Sequence, residues 1–314
     1  MSSPAGHLPV LLESISELLG PPSGGTVLDL TAGRGGHAEA LARATGAGGR
    51  IMLCDLDAGN LAFAEARVRG LAGAEVRSMH GSFANADRAM LAAGWAADRV
   101  LADLGFASSQ MDDPSRGFSF QNDGALDMRL DLSRGETAAD LLARMSESAL
   151  ADAIFQLGED PFARRIARTI VERRSRAPFR TTHELAIAVS AAYGPKARES
   201  RMHPATRTFM ALRIMVNDEL GALRGLLEAF RATASKFPST TWLNPKARLG
   251  VISFHSLEDR LVKHAFVEWE TAGLGQRVTR KPVEASDAEL RANPRARSAK
   301  LRVFEFASEI GVVR

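Results

Sequence analysis

The chain has 314 residues, of which 45% are hydrophobic and 25% are charged, and its formal net charge is +3. This composition is typical of a globular protein with one or two domains and excludes an intrinsically disordered chain. The single cysteine, Cys54, excludes a disulfide framework and a cysteine-based zinc site, and it indicates the reducing cytoplasm. No apolar run reaches the roughly 18 residues of a membrane span, and the N-terminal stretch has no basic region before an apolar core. We therefore expect a soluble, cytoplasmic protein.

Short apolar strands alternate with amphipathic helices from Thr26 to Asp103. In chain order the segments are TVLDL, GHAEALARATG, RIMLCDLD, AGNLAFAEARVRGL, AEVRSMHG and RVLADLG. Strands separated by helical patterns predict βαβ units with a parallel sheet and right-handed crossovers. We expect a doubly wound α/β domain in this part of the chain.

The alternation stops after Asp103. The segment FASSQMDDPSRGFSFQNDGALDMRLDLSRG combines turn-forming residues with aromatic and methionine residues, which predicts a long ordered loop with a function. Helical patterns follow, each beginning with Thr, Asp or Pro in a cap-like position. They are TAADLLARMSESALADAIFQLG, DPFARRIARTIVERR, TTHELAIAVSAAYG and PATRTFMALRIMVNDELGALRGLLEAF. These patterns predict a helical insertion in the α/β domain.

The strand pattern returns near the end of the chain. RLGVISFHS precedes the helical segment LEDRLVKHAFVEW, and GQRVTR and SAKLRVFEFA would pair as adjacent antiparallel strands at the end of the sheet. The sequence thus predicts a discontinuous α/β domain, residues 1–111 and 213–314, and an inserted loop and helical domain, residues 112–212.

The loop TAGRGGHAEA, after the first strand, raises the question of which ligand it holds. Gly33, Gly35 and Ala38 fit the dinucleotide pattern G-x-G-x-x-G/A, and N–H groups at a helix start favour an electron-rich ligand. Asp55 ends the second strand, where a carboxylate accepts hydrogen bonds from a ribose diol. Both NAD and S-adenosylmethionine satisfy these features.

Asp29 distinguishes between these two candidate ligands. A carboxylate on the approach to the loop would repel a pyrophosphate, whereas S-adenosylmethionine carries a sulfonium and an amino group and no phosphate. The alternative for Asp29 is a buried acid that caps nearby backbone amides. The closing antiparallel pair is typical of a methyltransferase sheet, so a methyltransferase is favoured over an NAD-dependent oxidoreductase.

Long motifs across the chain resemble those of the RsmH (MraW) family. From His7 to Val303 they are GHLPVLLES, TAGRGGHAEAL, DLGFASSQMDDPSRGFSFQNDGALDMRLD, GEDPFARRIARTI, HPATRTFMALRIMVNDEL, GVISFHSLEDRLVKHAF and NPRARSAKLRV. The resemblance implies a Rossmann-like class I S-adenosylmethionine methyltransferase sheet with an inserted all-helical domain. It also implies methylation of N4 of a cytidine in the decoding centre of 16S rRNA, position 1402 in standard 16S numbering, within the small ribosomal subunit. A non-catalytic ribosome-assembly factor that binds RNA is a further alternative, and a homodimer is left open.

The family's cofactor contacts carry over onto residues of the expected type. The resemblance implies that S-adenosylmethionine is bound by Gly35, Gly36, His37, Asp55, Phe83, Asp103 and Gln110. The departures are Phe106 and Ala107, where Val and Ser are more usual, and Met210, where Gln is usual. Met210 removes a side-chain amide and with it one polar contact.

Methylation of an exocyclic amine needs acceptors that orient the amine near the methyl group, and no covalent nucleophile. Asp103 is the candidate acceptor, with a role as cofactor ligand only as its alternative. His255 follows the fifth strand and is a second catalytic candidate, its alternative being a hydrogen-bonded structural histidine. Ser256 and Asp259 have the spacing of a capping box. Carbon-5 methylation normally recruits a cysteine thiolate, and the position of Cys54 in an apolar strand argues against it. The histidines show no metal-ligand spacing, so we expect no catalytic metal.

The target cytidine must leave its neighbours to reach such a site, and aromatic faces favour an unstacked base. Phe118 and Phe120 are candidates, with Arg116 and Arg129 for phosphate; the alternative for both phenylalanines is core packing of the loop. Arginines recur at i, i+4 spacing on a predicted helix and would follow the RNA backbone, the alternative being a solvated face. They are Arg164, Arg165, Arg168, Arg173 and Arg174.

Overall fold

The computed structural model describes residues 9–71, 73–197, 199, 202–237 and 241–308. The chain divides into two compact units. The first unit comprises the chain up to Gly105 and from Leu220 onward, and the second is Phe106–Glu219. The domain boundaries expected from the sequence, 111/112 and 212/213, lie close to these divisions. The assignment of the units to cofactor and substrate stays a prediction.

Strands and helices alternate in the first unit, and helices alone make up the regular structure described in the second. The strands are β1 (Thr26–Asp29), β2 (Arg50–Asp55), β3 (Glu75–His80), β4 (Ala97–Asp103), β5 (Leu243–Ser253), β6 (Gly275–Arg277) and β7 (Lys300–Phe306). The helices are α1 (Leu12–Leu18), α2 (Gly36–Thr45), α3 (Ala58–Val68), α4 (Ala86–Ala93), α5 (Ser108–Asp112), α6 (Ala138–Arg144), α7 (Glu147–Gly158), α8 (Ala163–Arg174), α9 (Thr182–Tyr193), α10 (Ala205–Asn217), α11 (Glu219–Ala234), α12 (Ser256–Thr271) and α13 (Asp287–Ala292). None of the helices in the described part of the chain has both the length and the hydropathy of a transmembrane span.

The seven strands form one sheet in the order β3-β2-β1-β4-β5-β7-β6. Strands β1 to β5 pair in parallel, whereas β7 is antiparallel to β5 and β6 is antiparallel to β7, with Gln276 opposite Glu305. The predicted class I methyltransferase sheet and its closing antiparallel pair are confirmed. Because β1 and β4 are neighbours at the reversal of strand order, their carboxyl ends mark the place where open α/β sheets bind ligands.

Successive residues of the central strands point to two different clusters of core side chains, as the pleat requires. Val27 and Leu53 pack with α1, α2 and α3, while Leu28 and Cys54 pack with α4, α11 and α12. The second cluster contains interlocked aromatic rings: Phe230, Trp242, Phe266, Trp269, Phe304 and Phe306. Both faces of the sheet are covered, so its functional groups emerge at the strand ends.

In the second unit, the segment between α5 and α6 is an ordered loop, as the sequence predicts. The Met128 N–H donates to Arg116 O (2.9 Å), and the Leu126 N–H donates to Arg180 O (3.0 Å). At Gly124 an added Cβ would lie 1.8 Å from Pro114 O, so only glycine allows these two segments of the loop to come so close.

The segment PATRTFMALRIMVNDELGALRGLLEAF, which the sequence predicts to be helical, forms two helices. The chain breaks at Asp218, which adopts a left-handed conformation (φ 47°) between α10 and α11. The Asn217 side chain holds the break, since its Oδ1 accepts from Leu130 N (2.7 Å) and its Nδ2 donates to Met128 O (2.8 Å). The helical periodicity of the sequence continues through Asp218, so the pattern does not predict the break.

Candidate active site

The glycine loop lies between the ends of β2 and β4. The Leu30 N–H donates to Leu101 O and the Ala32 N–H donates to Cys54 O, both at 2.8 Å. The Asp103 N–H donates to Thr31 Oγ1 at 2.7 Å. The loop is therefore fixed to both neighbouring strands before α2 begins at Gly36.

Two glycines of the loop are required by packing within the protein. Gly35 has φ 74°, and an added Cβ would lie 3.0 Å from Ala64 Cα in α3. At Gly36 an added Cβ would lie 2.5 Å from Pro9 Cγ. These residues bring the start of α2 against α3 and against the segment before α1, which positions its N-terminal amides.

Asp55 connects the end of β2 to the loop. Its Oδ2 accepts from Gly33 N (2.7 Å) and its Oδ1 accepts from Asp57 N (2.8 Å), and burial raises the pKa of the carboxyl. Each carboxylate oxygen has a second lone pair, so the group can still accept from a ligand hydroxyl. Phe83, in the short 3-10 helix Phe83–Asn85 after β3, is partly buried against the aromatic side of the core.

Asp29 fits the alternative given for it above, that of a buried acid that caps a backbone amide. Its Oδ1 accepts from Thr31 N (3.1 Å), and only 1% of the residue is exposed. Burial, with a smaller contribution from the charge of Asp55, raises the pKa of Asp29 to about 7. The repulsion of a pyrophosphate is therefore weaker than a fully ionised carboxylate would give.

His37 and Asp103 form the least satisfied group of the site. His37 Nε2 lies 3.6 Å from Asp103 Oδ2, which is beyond hydrogen-bonding distance. Both ring nitrogens of His37 and Oδ1 of Asp103 are buried without a hydrogen-bond partner. Such atoms in a folded protein call for a ligand, a proton or a water that the protein itself does not supply.

The protonation of this pair follows from its surroundings. Burial lowers the pKa of His37 to about 4, so the imidazole is neutral at pH 7. Burial, together with the smaller effect of the negative charges of Asp29 and Glu258, raises the pKa of Asp103 to about 8. At this edge of the sheet, burial therefore favours the protonated forms of Asp29 and Asp103. A positively charged ligand would favour their ionised forms.

His255 lies at the same edge, directly before α12, and its neighbour Glu258 supplies the cap of that helix. Glu258 Oε2 accepts from Phe254 N (2.9 Å) and from His255 N (3.3 Å), and its Oε1 lies 3.2 Å from His255 Nε2. The expected capping box of Ser256 and Asp259 is wrong by one position. Asp259 instead pairs with Arg302 of β7 (2.7 Å). The signal was present in the sequence HSLE, with Glu at the third helical position.

Gln110 is buried in α5 of the second unit, and its Oε1 accepts from Ala107 N (2.8 Å). Phe106 stacks on Phe118 (ring centroids 5.0 Å apart, 9° between the planes), and Arg213 lies over Phe106. The unusual Phe106 thus has a structural partner, and Phe118 is buried, which fits core packing of the loop.

Phe120 packs against His203 (4.5 Å) and Phe209 (4.8 Å), while His203 Nδ1 accepts from Ala205 N and holds a turn. Arg129 is bidentate to Asp127 (2.8 and 2.9 Å), and Arg116 donates to Arg129 O and Leu130 O. The loop arginines therefore organise the loop itself, and their contact with RNA stays a prediction.

The arginines of α8 fall into two groups. Arg164, Arg165 and Arg168 are exposed, and Arg168 lies 3.7 Å from Glu147. Arg173 donates to Glu184 O (2.6 Å) and Arg174 donates to Leu142 O, so both connect helices within the unit. The first group faces solvent and the second faces neighbouring helices. The i, i+4 spacing alone did not separate the two groups.

Comparison with known proteins places this chain in a family. The model of the MraW methylase family matches residues 4–307. This chain belongs to that family. The membership confirms the predicted family, the methyltransferase class and S-adenosylmethionine as the methyl donor.

Curated relatives are similar over nearly their full lengths. Ribosomal RNA small subunit methyltransferase H of Sorangium cellulosum is 46% identical, with 94% of this chain and 89% of that protein covered. The protein of the same name from Symbiobacterium thermophilum is 44% identical, with 94% and 95% covered. Among solved structures, a putative rRNA methylase from Clostridium thermocellum covers 94% of both chains at 14% identity, with a TM-score of 0.39.

Proposed function

We propose that this chain transfers a methyl group from S-adenosylmethionine to the N4 amine of a cytidine in the decoding centre of 16S rRNA, position 1402 in standard 16S numbering. The substrate is the small ribosomal subunit, and the reaction takes place in the cytoplasm. The observation that carries the proposal is the pair of His37 and Asp103, whose buried polar atoms have no partner in the protein. The names of the curated relatives supply the class of RNA.

The residues at the sheet edge fit S-adenosylmethionine. When bound, this cofactor supplies a methyl group on a positively charged sulfur. Asp55 would accept from its ribose hydroxyls, Phe83 would contact its adenine, and the amides at Gly35 and Gly36 would meet its polar groups. In the second unit, Gln110 would add a further polar contact. The carboxyl groups of the edge favour a cation over the pyrophosphate of NAD, which agrees with the methyltransferase class and not with an oxidoreductase.

The attacking amine must be oriented before it can react, since its lone pair is delocalised into the cytosine ring. Asp103 accepts a hydrogen bond from the amine once its carboxyl is ionised, and a positive charge placed beside it lowers its pKa and brings that about. His37, neutral at pH 7, offers a second acceptor 3.6 Å from Asp103. Asp103 is the proposed proton acceptor; His255, with Glu258 beside it, is the second candidate for contact with the base.

Carbon-5 chemistry does not fit this site. Cys54 is fully buried in β2, and burial together with the charges of Asp29 and Asp55 raises the pKa of its thiol. Attack on carbon 6 of cytosine needs a thiolate, which this environment disfavours. Methyl transfer to the N4 amine needs no such nucleophile on the enzyme.

The test uses small subunits that lack the modification, incubated with the protein and S-adenosylmethionine labelled in its methyl group. We expect label in 16S rRNA, and about a hundredfold slower transfer by Asp103→Asn, because the amide oxygen still accepts a hydrogen bond but cannot take up the proton of the amine. Asp113→Asn, an exposed carboxylate in the second unit, serves as the control. Absence of label in RNA, with normal binding of the small subunit, would favour the assembly factor instead.

A further inference from the structure

Two clefts flank Pro161 and Phe162 in the second unit. One has a volume of about 310 Å³ and is lined by Phe162, Tyr193, Lys196 and Arg207 among others. The other, of about 420 Å³, is lined by Phe155, Phe162, Arg164 and Arg165 among others. Both volumes lie in the range of small-molecule sites.

The aromatic walls of these clefts are held in place by a buried acid. Asp160 is fully buried, and its Oδ1 accepts from Phe162 N (2.9 Å) while its Oδ2 accepts from Tyr193 Oη (2.7 Å). The two rings lie 4.6 Å apart. The wall between the clefts is therefore rigid before any partner binds, which reduces the entropy cost of binding.

Exposed aromatic and basic side chains surround this wall. Phe155, a large apolar side chain on α7, is 63% exposed. Lys196 lies over the Phe162 ring at 5.4 Å, and Arg164 and Arg165 are exposed. Four basic residues line the clefts against two acids, Asp152 and Glu199.

We propose that the two clefts bind unpaired nucleotides of RNA, with bases against Phe155 and Phe162 and phosphates at the basic rims. Aromatic faces and cations in alternation are the means by which proteins hold single-stranded RNA without reading its sequence. The inference rests on the proposed function in that RNA is the substrate. It adds a site for nucleotides other than the methylated cytidine.

The experiment measures binding of a fluorescein-labelled single-stranded RNA of 12 nucleotides to the full chain by anisotropy, with no methyl transfer involved. Phe155→Ala should weaken binding about tenfold, within the range for loss of one stacked base. Lys196→Gln should reduce the slope of log affinity against log salt by about 0.7. Unlabelled duplex RNA should compete at least about tenfold less well than the single strand.

Matched controls remove equivalent groups away from the clefts. Ile187→Ala removes another apolar side chain, 64% exposed, and Lys236→Gln removes another exposed lysine charge, in the first unit. Equal binding by Phe155→Ala and Ile187→Ala, with equal salt slopes for the two charge variants, would overturn the proposal. So would dimer dissociation by Phe155→Ala in sedimentation, since a second copy would then occupy the cleft. Because no transfer is measured, failure here leaves the proposed methylation untouched, and a failure to methylate leaves this binding result valid.

Discussion

Asp103 controls how the site responds to pH. Its pKa is raised to about 8 by burial and by neighbouring negative charge, so most of it is protonated at pH 7 when no cation is near. A ligand with a positive charge prefers the ionised form, and its binding must therefore release a proton below pH 8.

We therefore expect the affinity for S-adenosylmethionine to rise about tenfold from pH 6 to pH 8 and to level off above that, measured by isothermal titration calorimetry in buffers of different ionisation enthalpy. S-adenosylhomocysteine lacks the sulfonium charge and should show a shallower dependence. Asp103→Asn should flatten the dependence for S-adenosylmethionine. Parallel slopes for both ligands would contradict this role of Asp103.

Asp29 makes the stability of the free protein depend on pH, because burial raises the pKa of its carboxyl group. Its pKa is raised from 3.8 to about 7, so the folded state binds more protons than the unfolded state in that window. The associated stability is fully present below about pH 4 and is lost as pH rises through about 7. Asp29→Asn cannot ionise and should stabilise the free protein at pH 8.5 by up to about 4 kcal/mol, the equivalent of the pKa shift.

Urea unfolding at pH 5 and pH 8.5 checks this expectation. The exposed Asp152→Asn, in the second unit, should change neither value by more than about 0.5 kcal/mol. A loss of stability in Asp29→Asn at pH 8.5 would mean that the ionised carboxylate is favoured in the fold, contrary to the burial argument.

At the scale of elements, Glu258 determines how α12 begins. It is 2% exposed and accepts from two backbone N–H groups, Phe254 N and His255 N. Glu258→Ala should therefore lower the free energy of unfolding by about 2–3 kcal/mol, because two buried donors lose their acceptor. Glu268→Ala, an exposed acid on the same helix, should cost less than about 1 kcal/mol in the same chemical denaturation experiment.

The loop of the second unit requires a glycine at position 124. Gly124→Ala would place Cβ 1.8 Å from Pro114 O and should destabilise that unit by more than about 3 kcal/mol. Gly225→Ala, within α11 and with its nearest neighbour 3.8 Å away, should be neutral or stabilising by up to about 1 kcal/mol. Thermal unfolding of both variants tests the pair, and equal effects would contradict the close approach.

The sequence predicted the sheet well because each strand is a short apolar run between helices of clear periodicity. It also placed Asp55 and Asp103 at strand ends, which the parallel register brings to one edge. The break at Asp218 could not be foreseen, since Asn217 holds it through residues of a distant loop. Phe155 and the clefts beside Phe162 were likewise missed, because exposure depends on how α7 packs against α8 and α10.

At the scale of the whole molecule, the first unit has an acidic strand edge and the second unit has a basic, aromatic surface. The edge suits a cationic donor, and the surface suits a polyanion. Both features together fit an enzyme that modifies RNA better than either alone. The alternatives each use one of them: an oxidoreductase needs no basic surface, and an assembly factor needs no donor site.

The most direct test of the central claim is the identity of the methylated atom. 16S rRNA from small subunits treated with the protein and S-adenosylmethionine would be digested, and the nucleosides and fragments analysed by mass spectrometry against untreated subunits. We expect N4-methylcytidine at a single position in the decoding centre. Finding 5-methylcytidine or a ribose methylation in its place would contradict it.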